Sequence, residues 1–389
     1  MRLTHLATAG GLAASLLPAA ALAHPPSFSV LYSFSGGAEG AYPFACPSLD
    51  SAGNLYGSTQ AGGNAAGLNG AGTIYKLTGS GISVLHSFAG GTDGGIAIGG
   101  VTLDKAGDVF GTTEANAAPN GGGQASGTVF KIAPDLTETV LHYFDPTKKN
   151  GAIGPDDRLT AHGGAYYSTT FVGGGGALGT IFKITQAGTL KLLYHFTGGA
   201  DGGVPYATVV FDSAGNLYGT TSRGGAGFGV VYKLTPPGVL SILHSFQGGA
   251  DGAAPAARLI IDAAGTLYGT TSGGDVATDF GTVFKLTPDG TETLLYSFKG
   301  GADGQGSIGP LLAKGSTFYG TTSGGGAASA GTVYKLSAAG VKTILHSFTV
   351  ATDGGSPFDG VVVDKAGALY GTAETGGTGG YGTVFRIVP

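Results

Sequence analysis

Residues 205–246 read PYATVVFDSAGNLYGTTSRGGAGFGVVYKLTPPGVLSILHSF, in which four short apolar runs, ATVVF, LYGTT, VVYKL and SILHSF, alternate with turn residues. Each run is rich in β-branched or aromatic residues and bounded by Gly, Asp or Pro, which reads as strand rather than helix. Between the first two runs, Asp212 and Gly215 fit a tight hairpin in which the Asp side chain caps the turn and Gly supplies positive φ. Four such strands in about fifty residues make one blade of a β-propeller.

The same stretch recurs along the chain. Its last phenylalanine stands at Phe34, Phe88, Phe144, Phe196, Phe246, Phe298 and Phe348, and the LYGTT aromatic at Tyr56, Phe110, Tyr167, Tyr218, Tyr268, Tyr319 and Tyr370. The third block, GTVFKL or a variant, starts at Gly72, Gly127, Gly179, Gly229, Gly281, Gly331 and Gly382. Seven of each, always in one order, specify seven blades. The hairpin aspartate recurs as Asp50, Asp104, Asp262 and Asp364. Ala161 and Ala313 replace it in blades three and six, where loss of the cap should loosen the turn. Proline, tolerated at the first position of a strand, introduces the first run at Pro43, Pro205, Pro255 and Pro357, so that run is placed innermost. LYGTT is then second, GTVFKL third and the Phe strand outermost. The chain opens with an outermost strand, SVLYSF at 29–34, and ends with a third strand, GTVFRI at 382–387. The N-terminal strand should therefore complete the last blade and remove the open edge of the ring. The expected fold is all-β: a seven-bladed β-propeller of four antiparallel strands per blade, one domain over residues 24–389.

These blocks resemble the repeat of the GloVer family, tandem-repeat proteins of bacterial envelopes with a variable choice of C-terminal anchor. The GTVFKL and LYGTT blocks carry the resemblance across residues 28–388. It implies an exported protein and brings no catalytic residues with it. The sequence stops at Pro389, directly after the last strand and without a sorting tail, so release into periplasm or medium is expected.

Composition agrees with a turn-rich β protein. Charged residues are 11% of the chain against a usual ~25%, and 78 residues are glycine. With 42% apolar residues a sizeable core can form, which excludes disorder. Net charge is −5 with no basic run, so nucleic acid is set aside as a partner. Cys46 is the single cysteine, which excludes an intrachain disulfide and CxxC metal or redox motifs. At the N-terminus, Arg2, the apolar stretch Leu6–Leu22 and Ala21-Leu22-Ala23 read as a signal peptide over 1–23, cleaved after Ala23. The mature chain is expected to be a secreted or periplasmic monomer without a membrane span.

Catalytic signatures are scarce. HExxH, GxSxG and P-loop patterns are absent, and a GxGxxG at Gly174, Gly176 and Gly179 precedes a strand instead of opening a helix. His86, His142, His244 and His346 interchange with Tyr32, Tyr194 and Tyr296 two residues before the signature Phe, as an amphipathic structural ring would. The third-strand cations, Lys76, Lys131, Lys183, Lys233, Lys285, Lys335 and Arg386, are expected to snorkel to solvent.

Two sets of residues invite function. Six of the loops that join an outermost strand to the next innermost one carry an acid before glycine: Glu39, Asp93, Asp201, Asp251, Asp303 and Asp353. Either each acid caps its own turn, or together they form an acidic crown around the channel that takes Ca²⁺. The second set breaks the repeat: Asp156, Asp157, Arg258 and Asp359 on innermost strands, Tyr206 at the same level, and Arg223 and Glu374 in neighbouring loops. They are expected to line one off-centre pocket for a small polar or saccharide-like ligand, with Asp156 or Asp157 countered by Arg258 when it is empty. Two function classes remain. One is a binding or scaffold module for an extracellular glycan, peptide or protein. The alternative is a channel-mouth hydrolase or lyase with Asp156, Asp157 or Asp359 as acid or base, metal-assisted or not. The lack of Trp weakens the sugar readings.

Overall fold

The computed structural model describes residues 25–63, 68, 70–114, 127–144, 152–273 and 280–389; the signal-peptide reading of 1–23 lies outside them. Seven four-stranded antiparallel sheets form the blades of a propeller. In blade one the strands run Ser48–Leu49, Leu55–Thr59, Thr73–Thr78 and Gly81–Ser87 from the axis outward, in chain order, and the next five blades repeat this. The seventh sheet closes the ring as expected: Ser27–Ser33 lies outermost against Thr383–Val388, with Ser27 opposite Val388 and Ser33 opposite Thr383.

The core lies between blades rather than within them, because the second and third strands are covered on both faces and only the outermost alternate with solvent. Each signature Phe meets the third-strand aromatic of the next blade edge-on or tilted, as in Phe88–Phe130, Phe246–Phe284 and Phe348–Phe385, with centroids 5.1–5.2 Å apart. The glycine of LYGTT makes room for that aromatic within its own blade. A Cβ on Gly219 would stand 2.3 Å from the Tyr232 hydroxyl, and one on Gly371 2.5 Å from Phe385. The two threonines have separate tasks. The second bonds the threonine that opens the third strand, as in Thr59–Thr73 and Thr113–Thr128 at 2.9 Å. The first reaches the innermost strand of the next blade.

Three details depart from the expectations. The turns at Ala161 and Ala313 are shorter rather than loose: His162 pairs with Ala165 and Lys314 with Thr317 across two-residue loops. Gly163 and Gly164 there have φ of 56° and 76°, the twist such a hairpin needs, so no aspartate cap is required. An extra ribbon, Ala152–Ile153 against Val172–Gly173, sits beside blade three. Several third-strand cations also do more than snorkel: Lys76, Lys183 and Lys233 lie 5.1–5.6 Å over Tyr56, Tyr167 and Tyr218, their cross-strand partners.

Candidate functional site

Just ahead of each innermost strand the chain makes the same left-handed step. Tyr42, Ile96, Val204, Ala254 and Ser356 have φ of 51–59°, and Gly154 and Gly306 take this place in blades three and six. The step directs the backbone N–H at the preceding blade, as from Val204 to the Leu178 carbonyl at 2.7 Å. Such a conformation costs an L-residue ~1–2 kcal/mol. Its recurrence in every blade assigns it to the architecture. Two residues further on, Phe44, Ile98, Asp156, Tyr206, Ala256, Ile308 and Phe358 ring the mouth of the channel. Ala45, Gly99, Asp157, Ala207, Ala257, Gly309 and Asp359 come one residue deeper. The LYGTT threonines fix this second level, since Thr112, Thr169, Thr270 and Thr372 donate to the carbonyls of Asp157, Ala207, Gly309 and Ala45 at 3.0–3.2 Å.

The ring encloses a cavity of about 270 Å³ that takes in Asp156, Asp157, Tyr206, Arg258 and Asp359 together. Five of the seven residues expected to form a pocket therefore share one. Phe44 and Phe358 stack at 4.8 Å on one side, and Tyr206 stacks on Phe171 at 5.7 Å on another. Below this mouth, Arg158 crosses from blade three, its Nη2 donating to the Cys46 carbonyl at 2.6 Å and pairing with Asp359 at 3.3 Å. Blade two leaves space for it: a Cβ on Gly100 would lie 3.2 Å from that nitrogen. Asp359 also accepts the Cys46 N–H at 2.8 Å. Asp157 is held by two backbone donors, Arg158 N–H at 2.6 Å and Thr208 N–H at 2.8 Å.

The expected pairing of Arg258 with Asp156 or Asp157 does not occur. Asp157 is already occupied by the backbone, and Arg258 makes no hydrogen bond or ion pair among the described residues. It lines both the mouth cavity and the space beneath it, so its guanidinium stands in the channel. Burial, and then Arg158, hold its pKa below the usual guanidinium value, while Asp157 and Asp359 oppose this from a distance. Burial works against charge on Arg158 too, but there Asp359 and its neighbours outweigh it. Asp156 carries the second unmet group: its Oδ1 is buried without a partner. Burial, with Glu114 and Asp157 nearby, holds its carboxyl well above the usual carboxylate range, which favours the protonated form.

Arg223 and Glu374 do not join this cavity. Arg223 pairs its backbone with Gly203 and extends its side chain to solvent. Glu374 accepts a hydrogen bond from Gln60 of blade one at 2.9 Å. The acidic crown is corrected as well. The six acids lie against their own outermost strands, not around the channel, and each accepts the backbone N–H four residues earlier: Glu39 from Ser35, Asp93 from Ala89, Asp201 from Thr197, Asp251 from Gln247, Asp303 from Lys299 and Asp353 from Thr349, at 2.6–2.9 Å. Five also bond the interchangeable ring seven residues back, as in His86–Asp93 at 3.1 Å, Tyr194–Asp201 at 3.1 Å and His244–Asp251 at 2.9 Å. One turn thus explains both the acid and the His/Tyr slot. Among the described residues no three His, Cys, Asp or Glu groups are placed to hold a metal ion.

Sequence reasoning noted Arg158 beside Asp156 and Asp157 but left it, and Glu114, out of the candidate set. Counting from proline puts Arg158 and Arg258 at one register, in Pro155-Asp-Asp-Arg and Pro255-Ala-Ala-Arg. Counting from LYGTT puts Glu114 level with Glu374, so blade seven is not alone in carrying an acid there.

Fold and site together define a seven-bladed propeller with a charged cavity at one end of its channel. The chain belongs to the Gloeobacter/Verrucomicrobia repeat family, whose pattern matches residues 21–228, 67–276 and 214–389. No curated protein matches it in sequence. Among solved structures it is similar to the extracellular domain of a protein described as a hybrid two component system from B. thetaiotaomicron, with TM-score 0.57 and 12% identity over 92% of this chain and 39% of that one. It is also similar to a puromycin hydrolase, with TM-score 0.54 and 12% identity over 88% of this chain and 52% of the other. The chain thus spans 39% of the length of the first and 52% of the second, and likeness at that identity extends to the fold alone.

Proposed function

We propose that this protein is an exported binding module whose channel-mouth cavity receives a small polar ligand. The observation that carries the reading is convergence: Asp156, Asp157, Tyr206, Arg258 and Asp359 break the repeat in four different blades, yet all line one cavity. Features common to all blades are consumed by folding, as the turn-capping acids illustrate. Binding is favoured over hydrolysis because both oxygens of Asp157 accept backbone N–H groups and Asp359 Oδ2 is shared by the Cys46 N–H and Arg158. An extracellular or periplasmic location agrees with the N-terminal pattern and with the extracellular neighbour.

The test is a thermal-shift screen of the mature chain against sugars, peptides, amino acids and organic acids, repeated on Ala256→Phe, which fills the mouth. A ligand that raises the melting temperature of the native chain but not of Ala256→Phe supports the reading. Ligands that stabilise both equally bind elsewhere and overturn it.

A further inference from the structure

The cavity contains two polar groups whose hydrogen-bonding capacity the protein leaves unmet, and they are complementary to one ligand. Among the described residues Arg258 presents a guanidinium without a partner, and Asp156 presents a buried Oδ1 without one. Elsewhere in the channel the polar groups have partners: Arg158 meets Asp359, and each oxygen of Asp157 accepts a backbone N–H. A charge partly withdrawn from water without a partner is costly, so the site is completed by a group that supplies what Arg258 lacks. Resting on the binding reading above, we infer that the cavity is an anion site for a small organic carboxylate with an apolar body, held by the Arg258 guanidinium and the Asp156 carboxyl.

Three features select that class. The donors of one guanidinium suit a single anionic group, and Asp157 and Asp359 nearby disfavour a dianion such as a phosphate monoester. The planar fork of arginine matches the two oxygens of a carboxylate. Asp156, whose burial and acidic neighbours favour its protonated form, can donate its O–H to one of those oxygens, which an ionised aspartate cannot do. Around these groups the mouth is apolar, with Phe44, Phe358, Ile98 and Ile308, suited to a hydrocarbon or aryl body. Asp156 is faced by Glu114 from blade two, by its neighbour Asp157 and by Arg258 from blade five. Binding therefore weakens as pH rises through the raised pKa of Asp156, because an ionised Asp156 would repel the ligand.

Calorimetry on the mature chain with benzoate, benzamide, benzylamine and phenyl phosphate as probes tests this. Benzoate should bind at least tenfold more tightly than the other three and should lose at least tenfold in affinity in Arg258→Gln. That variant removes no hydrogen bond or ion pair among the described residues and should not lower the melting temperature; if it does, Arg258→Lys serves, retaining charge but losing the planar fork and weakening benzoate severalfold. In Asp156→Asn benzoate binding should persist and its decline with pH should disappear. Equal binding of benzoate by Arg258→Gln, or equal binding of benzamide or benzylamine by the native chain, overturns the assignment. If an uncharged ligand binds and is lost in Ala256→Phe, the binding reading stands and the anion site falls. If none of the probes nor any screened ligand binds, both fall.

Discussion

At the scale of single residues, the repeat tolerates polar exceptions that can be tested one at a time. The third-strand aromatic is Phe in four blades and Tyr in three, and the tyrosine hydroxyls differ in their surroundings. Those of Tyr75 and Tyr232 are buried without a partner, whereas that of Tyr334 meets Ser307 at 3.0 Å. A buried hydroxyl without a bond costs ~1–3 kcal/mol. Tyr232→Phe should therefore raise stability by about 1 kcal/mol in a denaturant titration, and Tyr334→Phe should not. Asp359 presents the opposite case. Its removal strands Arg158 beneath the mouth, and breaking a buried pair costs ~3–5 kcal/mol. Because the pair is partly reached by solvent, Asp359→Ala should lose about 3 kcal/mol. Asp359→Asn, which still accepts the Cys46 N–H, should lose less, and an equal loss would remove that hydrogen bond from the argument.

Elements meet through their outermost strands, where the first position varies to suit the neighbouring blade. Phe28 stacks on His346 at 3.6 Å, and Lys342 reaches the Asp303 carboxylate at 2.8 Å. Glu138 and Glu292 take this position beside the His86–Asp93 and His244–Asp251 pairs, each with Oε1 buried and unpaired. Burial first, and then Asp93 or Asp251, push their carboxyls up to about 7. A carboxyl raised above its unfolded value of 4.5 stabilises the fold fully below that value, and the contribution is lost as pH climbs through about 7. The Glu138→Gln/Glu292→Gln double variant should melt above the native chain at pH 8, with a flatter profile between pH 4.5 and 7. Coinciding profiles would place these side chains in water. The closing strand Ser27–Ser33 is the other test at this scale. Its loss uncovers an edge and removes Phe34 from the interface between the last and first blades. Losing one buried Phe costs ~3–5 kcal/mol, a large part of a typical total of ~5–15. A chain beginning at residue 36 should lose its cooperative melt and regain it with a peptide of residues 25–36, unless the closure is energetically idle.

For the whole molecule, the ring separates what is shared from what is singular. The six loop acids are bound to their own turns at the blade edges, so calcium and chelator should leave the melting temperature unchanged; a rise with calcium would show that some of these carboxylates can be turned outward. Among the described residues no helix is long and apolar enough to cross a membrane.

The sequence by itself determined the blade count, the strand order and the closure of the ring. Those rest on local rules repeated seven times: turn residues at fixed offsets, the Phe–aromatic contact between blades and the mismatch between first and last strands. It also singled out five residues of the mouth, since departures from a repeat can be seen by aligning the chain with itself. Only the tertiary structure decided which of them meet. Arg158 and Asp359 are 201 residues apart and pair across the channel, while Arg258, expected to be the counter-ion, stands alone. Register along a blade is a local property, but pairing across the axis depends on the reach of an arginine and on which neighbour lacks a side chain, as Gly100 does beside Arg158. The acids near each outermost strand misled for the same reason. Their sequence places them in a loop on the way to the channel, and only the fold of that loop turns each carboxylate back onto a backbone N–H four residues earlier.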